Sequence, residues 1–504
     1  MTIPGLKIDW DSDVPVYRQI ADGVRDAAAE GRLEAGRRLP PTRDLARQLG
    51  VNRNTVVAAY EQLATDGWVE SRTGRGTFLA HDTLGRPSGT AAGEAWFNPF
   101  SRAVDGEATG RLASIYGLVI ASEGISFVGS YPTPELMPVE PFADALADAV
   151  RLHGPEVLSY GPTAGWPPLR EQIASRMRED GSAIGPGDVL VTNGAQQAIH
   201  LVFRTLLDPG DAALVEEPTY TGALSVLDSV GARTIGVPVD DRGMRPDLLA
   251  LALERHRPKL IYVQPTFHNP TTAVMDTVRR REILRVAHRF RCPIVEDDWA
   301  GDLRFEGDRL PSLHAVDGGR HVIYLSTFSK KLMPGLRVGW VVAPHVVQER
   351  LLELKRVEDC GTSPVLQAAL ELFLTRGGLE AHLERVRPAY RERRDCMIGS
   401  LQRHFPTEAS WTRPAGGLFL WIRLPAGFDG GELFAAARRE GVLFSRGDLF
   451  HSDGSGRNSF RLTYSSASPE QIEEGIAKLG SLVRERLDRR EPRAQAATEA
   501  MPIL

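Results

Sequence analysis

One lysine of this chain, Lys330, stands behind two hydroxyls, Thr327 and Ser329, in the stretch Ser326 to Trp340, and Arg337 follows the helix-breaking pair Pro334-Gly335. A lysine amine forms a Schiff base with an aldehyde, and pyridoxal phosphate is the aldehyde cofactor that proteins hold in this way. Hydroxyls and an arginine fork beside such a lysine suit a phosphate tail. Upstream, Asp297 closes an apolar run in VEDDW. A carboxylate there can pair with a protonated pyridine nitrogen and make the ring an electron sink. Asn269, in FHNPTT, is a neutral donor expected at a strand end and suits the phenolic oxygen of the ring. Gly194-Ala195-Gln196 reads as a turn opening a helix, where backbone N–H groups hold phosphate. Tyr220, in EEPTY, can stack on the ring, and Arg461, in FRLTY, can fork onto a carboxylate. Lys331 reads as a solvated neighbour and His268 as a satisfied loop histidine.

These residues need a scaffold, and the chain supplies one from about residue 120 onward. Short apolar runs, among them DVLVTNG, AALVEEP, KLIYVQP, CPIVEDD and HVIYLST, alternate with helical patterns. Runs of this length between helices predict a mostly parallel sheet covered on both faces. The front of the chain differs. Val16, Ile20, Val24, Ala27 and Ala28 recur at helical spacing, and Gly31 closes that helix. Thr42 is placed to cap a short helix ending at Gly50, and Asn52 to cap a second one reaching Gly67. Two helices joined by a tight turn predict a helix-turn-helix, whose second helix enters the major groove. Residues 68–78 read as a two-stranded ribbon with its tip at Thr73 to Gly76.

Composition bounds the rest. A chain of 504 residues exceeds one ordinary core. Hydrophobic residues at 42% and charged residues at 25% describe a globular protein. A net charge of −5 gives no global pull toward nucleic acid, so any DNA contact must be local. From Arg32 to Ala80 there are eight basic and five acidic residues, a locally basic stretch within an acidic chain. Three scattered cysteines argue against a disulfide framework and fit a reducing cytoplasm. No spacing resembles a metal site, no signal peptide is visible, and no apolar run reaches the ~18 residues that span a membrane.

Residues 12–80 resemble the GntR family of bacterial regulators. The match runs through Tyr17, Gln19 and Ile20, Gly31, Leu33 and Gly36, Leu39-Pro40, Arg43, Leu45-Ala46, Gly50-Val51, Arg53, Thr55-Val56, Gly67 to Val69 and Gly76 to Phe78. The resemblance implies that Arg43, Asn52, Arg53, Asn54 and Thr55 contact phosphates and base edges, with Gly74 and Arg75 at the minor groove. Arginine forks suit phosphate or guanine and asparagine suits adenine. Residues 114–485 resemble the aspartate-aminotransferase superfamily of fold type I, with a smaller α+β subdomain at the C-terminus. The whole chain looks like a MocR-type regulator, which joins the two. Residues 81–113 read as a linker, whose Trp96, Phe97 and Phe100 suggest a docked segment. Residues 486–504 read as a disordered tail.

The resemblance implies pyridoxal phosphate on Lys330, with Asp297 at the pyridine nitrogen. Thr327, Ser329, Arg337, Ala195 and Gln196 would hold the phosphate, Tyr220 the ring and Arg461 the carboxylate of an amino-group ligand. It implies a homodimer in which Tyr160 faces the partner's site. Two departures stand out. Trp299 occupies the position where the family has a tyrosine bonding the phenolic oxygen, and Pro-Thr-Thr follows Asn269 where enzymes have Pro-Thr-Gly. The expected function is a cytoplasmic regulator that binds an operator in double-stranded DNA and senses pyridoxal phosphate or an amino compound through a Schiff base at Lys330. The alternative is a working aminotransferase carrying an accessory DNA-binding domain.

Overall fold

The computed structural model describes residues 124–488 and, at the front, residues 3–79 apart from 4, 5, 11, 13, 30, 31, 34, 35, 66, 67 and 73–75. Among the described residues two compact units form, within Met1–Pro99 and within Phe100–Leu504. The linker aromatics Trp96, Phe97 and Phe100 lie outside the described residues, as do Gly74 and Arg75.

In the first unit, α1 (Val16–Ala29), α2 (Thr42–Leu49) and α3 (Arg53–Thr65) precede an antiparallel ribbon of β1 (Val69–Arg72) and β2 (Gly76–Leu79). The apolar stripe of α1 does what its spacing predicts: Ile20, Val24, Ala27 and Ala28 are buried with Leu45, Val56, Ala59 and Leu63. Asn52 caps α3, its Oδ1 accepting from Asn54 N at 2.9 Å. Thr42 does not cap α2. Pro41 holds the cap position and Thr42 is the first helical residue, while Gly50 ends the helix in the left-handed region at φ 65°.

Two features were not expected. Residues 36–39 extend the ribbon, with Gly36 N donating to Leu79 O and Leu39 N to Thr77 O. The packed unit also begins upstream of residue 12: Ile3, Leu6 and Ile8 join its core. The Gln19 amide holds this N-terminal arm by donating to Asp9 O at 3.0 Å and Val14 O at 2.8 Å. Gly23 makes room for it, since a Cβ there would lie 2.3 Å from Leu6 Cδ1.

The second unit is built on an eight-stranded mixed sheet. Its strands are β4 (Val189–Thr192), β5 (Ala212–Glu217), β6 (Arg233–Asp240), β7 (Gly243–Met244), β8 (Leu260–Val263), β9 (Ile294–Asp298), β10 (Val322–Thr327) and β11 (Gly339–Val342). They lie in the order β4-β11-β10-β9-β8-β5-β6-β7. The pairs from β10 through β6 are parallel, while β11 and β7 run against their neighbours. Alternate residues point to opposite faces and both faces are dry. Val215, Tyr262, Val295 and Leu325 enter one core; Leu214, Ile261, Ile294 and Val322 enter another.

A second sheet has the order β12-β13-β15-β14-β3, from β3 (Ile125–Phe127), β12 (Ser410–Trp411), β13 (Phe419–Arg423), β14 (Val442–Arg446) and β15 (Ser459–Thr463). It packs on the helix Pro469–Asp488 through Phe127, Ile472, Ile476 and Val483. That helix runs three residues into the stretch expected to be tail, and residues 489–504 lie outside the described ones. No helix among the described residues is long and apolar enough to cross a membrane.

Candidate cofactor and ligand site

The parallel strands end on one side of the sheet, and the turns beyond them deliver the polar residues, as open α/β sheets commonly do. One cavity is lined by Ala195, Gln196, Tyr220, Asn269, Asp297, Trp299, Thr327, Ser329, Lys330, Arg337 and Arg461, all of the cofactor and ligand residues expected from the sequence. Tyr160 is not among them; it is 94% exposed on the segment after the short helix Pro155–Leu158.

Asp297 sits at the end of β9, 1% exposed. Its Oδ2 accepts from the Tyr262 hydroxyl at 2.6 Å and from Gln264 Nε2 at 2.8 Å. Its Oδ1 is buried with no hydrogen-bond partner among the described residues. Burial pushes the carboxyl up to about 6, against the pull of the Tyr262 and Gln264 hydrogen bonds. A buried acceptor left open at a cavity wall is what a pyridine N–H would complete.

Lys330 follows β10 and lies 5.0 Å from the centre of the Tyr131 ring. Burial pulls its amine down to about 8, helped by the positive charges of Arg461 and Arg337. The neutral, nucleophilic form is therefore within reach near neutral pH. Beside it, Thr327 Oγ1 lies 3.0 Å from Ser329 Oγ, and Ser329 N donates to Thr327 Oγ1 at 3.1 Å.

Across from them the helix Ala195–Leu206 begins. Its approach is tight: a Cβ on Gly194 would lie 2.8 Å from Arg337 Nη2, and one on Gly339 would lie 2.7 Å from the Gly194 carbonyl carbon. The glycines let the arginine and the helix N-terminus share one concave end. Hydroxyls, a guanidinium and helix-opening N–H groups form a donor set for a phosphate.

Tyr220 caps the helix Thr221–Ser229 and donates through its hydroxyl to Gln196 Oε1 at 3.2 Å. Gly222 leaves room for this ring, whose Cε1 would lie 2.4 Å from an added Cβ. Arg461, on β15, is buried. It donates through Nη1 to Asn269 Oδ1 at 2.8 Å and through Nη2 to Val128 O at 2.9 Å, and it lies between the Phe419 and Phe450 rings. Its Nε has no hydrogen-bond partner among the described residues. Burial lowers its pKa to about 10, still far above neutral, so it stays a cation.

Two sequence-based expectations need correction, for Asn269 and Lys331, and the two departures, Trp299 and Thr272, take defined positions. Asn269 lies in the loop beyond β8, not at the strand end; because its oxygen accepts from Arg461, it offers its amide as donor. Trp299 lines the cavity, but its indole N–H donates to Phe267 O at 3.1 Å and its ring stacks on Phe419 at 5.4 Å. It is a wall and has no donor left for a phenolic oxygen. Lys331 is not solvated: it is 4% exposed and ion-paired with buried Asp302. Thr272, where a glycine is usual, holds φ 62°, a left-handed conformation that a β-branched residue rarely adopts. His268, expected to be a satisfied loop histidine, is only half so: Nδ1 lies 2.7 Å from Thr271 Oγ1, while the buried Nε2 has no hydrogen-bond partner among the described residues, and burial pushes its pKa down to about 3.

Sequence reasoning missed Tyr262 and Gln264, which hold Asp297, and Tyr131, which faces Lys330. The QP that follows β8 and the SY of residues 130–131 carry no motif; only the fold brings them to the site.

In the first unit, Arg43, Asn52, Arg53 and Asn54 are exposed and Thr55 is half-buried, all on α2, α3 or the turn between them.

Residues 16–79 match the bacterial regulatory proteins of the gntR family, and residues 128–479 match aminotransferase class I and II. The HTH-type transcriptional regulator YisV of Bacillus subtilis is 34% identical over 478 residues, covering 94% of this chain and 97% of YisV. The probable rhizopine catabolism regulatory protein MocR of Rhizobium meliloti is 33% identical over 492 residues, covering 94% of this chain and 95% of MocR. Among solved structures, the α-aminoadipate aminotransferase LysN of Thermus thermophilus, complexed with a phosphopyridoxyl-leucine adduct, is 37% identical with a TM-score of 0.71. The match covers 76% of this chain and 98% of LysN.

Proposed function

The chain belongs to the MocR-type regulators, in which a GntR-family helix-turn-helix precedes a class I and II aminotransferase domain, and from that premise we propose how its own residues carry the regulation. The helix-turn-helix is a DNA-binding element, and the aminotransferase fold is one of pyridoxal-phosphate proteins. When bound, pyridoxal phosphate supplies an aldehyde for an amine and a ring that takes up electrons.

The observation that carries the reading is the open Oδ1 of Asp297, on the wall of the same cavity as Lys330 and without a hydrogen-bond partner among the described residues. Asp297 accepts the pyridine N–H there. Lys330 provides the amine that holds the aldehyde. Thr327, Ser329, Arg337 and the backbone N–H groups of Ala195 and Gln196 bind the phosphate, with Tyr220 against the ring. Asn269 donates to the phenolic oxygen. Arg461 binds the carboxylate of an amino-group ligand, and its contact with Asn269 ties ligand binding to the ring position.

At the front, Arg43, Asn52, Arg53, Asn54 and Thr55 meet an operator, with Gly74 and Arg75 at the minor groove. The working form is a homodimer in the cytoplasm, with Tyr160 reaching the partner's site. Occupancy of the cavity shifts DNA affinity only if the ligand binds one arrangement of the dimer better than another.

The test uses the purified full chain. Pyridoxal phosphate should produce a visible absorption band, and amino acids added in turn should change that band for the effector. Sustained turnover with a 2-oxo acid acceptor would favour a working aminotransferase instead. Failure to bind duplexes from its own promoter region would overturn the regulator reading.

A further inference from the structure

The phosphate end of the cavity leans on a charged pair that the cavity itself does not use. Arg337 is held at the turn between β4 and the helix Ala195–Leu206, its Nη2 donating to Asn193 O at 3.0 Å. Behind that turn, Asn193 Nδ2 donates to Asp359 Oδ2 at 2.6 Å, and Gln197 Nε2 donates to the same oxygen at 2.7 Å. Asn193 N donates to Gln197 Oε1 at 2.7 Å, closing the ring. Lys355, 0% exposed, donates to both Asp359 oxygens at 3.0 and 2.7 Å and to Thr362 Oγ1 at 3.2 Å. Gly361 N adds a bond to Asp359 Oδ1 at 2.9 Å.

A lysine with no exposure is tolerated only beside a fixed counter-charge. Burial pulls the Lys355 ammonium below its ordinary value, against the pull of Asp359. Burial alone would raise the Asp359 carboxyl, yet the hydrogen bonds from Lys355 and Gln197 outweigh it and hold the group below the usual range. Lys355 and Asp359 thus sit in one hydrogen-bonded network with Asn193, Gln197 and Gly361. Its far side reaches the segment that carries Tyr160: Thr163 Oγ1 donates to Cys360 O at 3.3 Å, and a Cβ on Gly161 would lie 2.9 Å from Pro364 Cγ.

We propose that Asp359 and Lys355 are positioning residues for the phosphate cradle. Acting through Asn193, they fix the turn on which Arg337 and the first N–H groups of the helix converge, and they tie that turn to the Tyr160 segment. The inference rests on reading the cavity as the pyridoxal-phosphate site. A network of this kind acts on the phosphate and not on the ring, because Asp297 and its partners Tyr262 and Gln264 are held by bonds of their own.

Pyridoxal has the same ring and aldehyde as pyridoxal phosphate but no phosphate, so the ratio of the two affinities isolates the cradle. Equilibrium titrations of the full chain with both compounds, followed by absorbance, should show wild type binding pyridoxal phosphate far more tightly. Asp359→Asn should weaken pyridoxal phosphate on the order of tenfold to a hundredfold while pyridoxal is unchanged. Asn193→Ala removes one bond to Asp359 but retains both charges of the Lys355–Asp359 pair, so it should fold; it should lower the ratio about tenfold by the same logic. Equal weakening of both ligands, or an unchanged ratio in Asn193→Ala, would overturn the inference while leaving the site reading intact. A wild type that does not distinguish the two compounds would overturn the cradle itself and the inference with it.

Discussion

Arg53 and Lys330 are both cations assigned to phosphate-bearing partners, yet the protein keeps them in opposite surroundings. Arg53 lies exposed at the start of α3, beside exposed Asn52 and Asn54. Lys330 is half-buried near Tyr131, Arg461 and Arg337, and desolvation pulls its amine down to about 8. The contrast extends to whole sites. The residues proposed to meet DNA are close in sequence, and Arg43, Asn52, Arg53 and Asn54 are exposed. The cofactor-facing residues come from the ends of β9 and β10, two helix N-termini, the loop after β8 and a strand of the second sheet. An exposed cation works by displacing counterions from DNA and is sensitive to salt. A half-buried one works through desolvation and fixed geometry and is sensitive to pH. On the proposed reading the first unit is a salt-dependent reader and the second a pH-dependent sensor, and substitutions in one should leave the basal binding of the other unchanged.

The largest break is Lys330→Ala. It should abolish the visible band of bound pyridoxal phosphate while the first unit keeps its fold and its basal DNA affinity, measured by circular dichroism and fluorescence anisotropy. Next is Asp297→Asn. Losing a charge-assisted bond of about 1.5–3 kcal/mol should weaken pyridoxal phosphate on the order of tenfold to a hundredfold. The pH dependence sharpens the point. Asp297 is raised to about 6, so as pH falls through that value the carboxyl gains a proton and stops opposing a protonated ring. Wild-type affinity should therefore fall below about pH 6, and titrations of the variant across the same range should show no such decline.

The mirror experiment is Arg53→Ala. DNA affinity should drop about tenfold at physiological salt, with the salt slope smaller by ~1, and the cofactor spectrum should not move. A spectrum that bleached in this variant would break the comparison between the two sites. The smallest effect is at Thr272, whose φ of 62° strains the turn behind Asn269. Thr272→Gly should raise thermal stability by up to about 1 kcal/mol, read as a higher Tm, because glycine adopts this conformation without a Cβ clash.

What was legible in the sequence follows the same division. The reader could be seen because its helices, cap and turn are short-range: Asn52 caps α3, and Gly50 ends α2 within a few residues of the groups they serve. Asp297 could be seen because it ends an apolar run that had to be a buried strand, and Lys330 because the hydroxyls of Thr327 and Ser329 and the guanidinium of Arg337 stand close to it in sequence. Their partners could not. Tyr262 belongs to a different strand from Asp297, and nothing local marks its hydroxyl as the donor. Trp299 lines the cavity as expected, but nothing local shows that a backbone carbonyl some thirty residues away in sequence, Phe267 O, takes its N–H. Lys331 was expected in solvent because its counter-charge, Asp302, is far along the chain. Long-range pairing, not residue type, decides these cases.

On the proposed function, occupancy of the Lys330 cavity changes how the chain binds DNA. The direct measurement is the affinity of the full chain for a duplex from its own promoter region, with and without saturating pyridoxal phosphate, in wild type and in Lys330→Ala. A coupling of about 1–3 kcal/mol would shift the wild-type affinity roughly 5- to 150-fold, and the variant should show no shift. Identical affinities with and without pyridoxal phosphate in a wild type that shows the bound-cofactor band, or an equal shift in Lys330→Ala, would contradict the account.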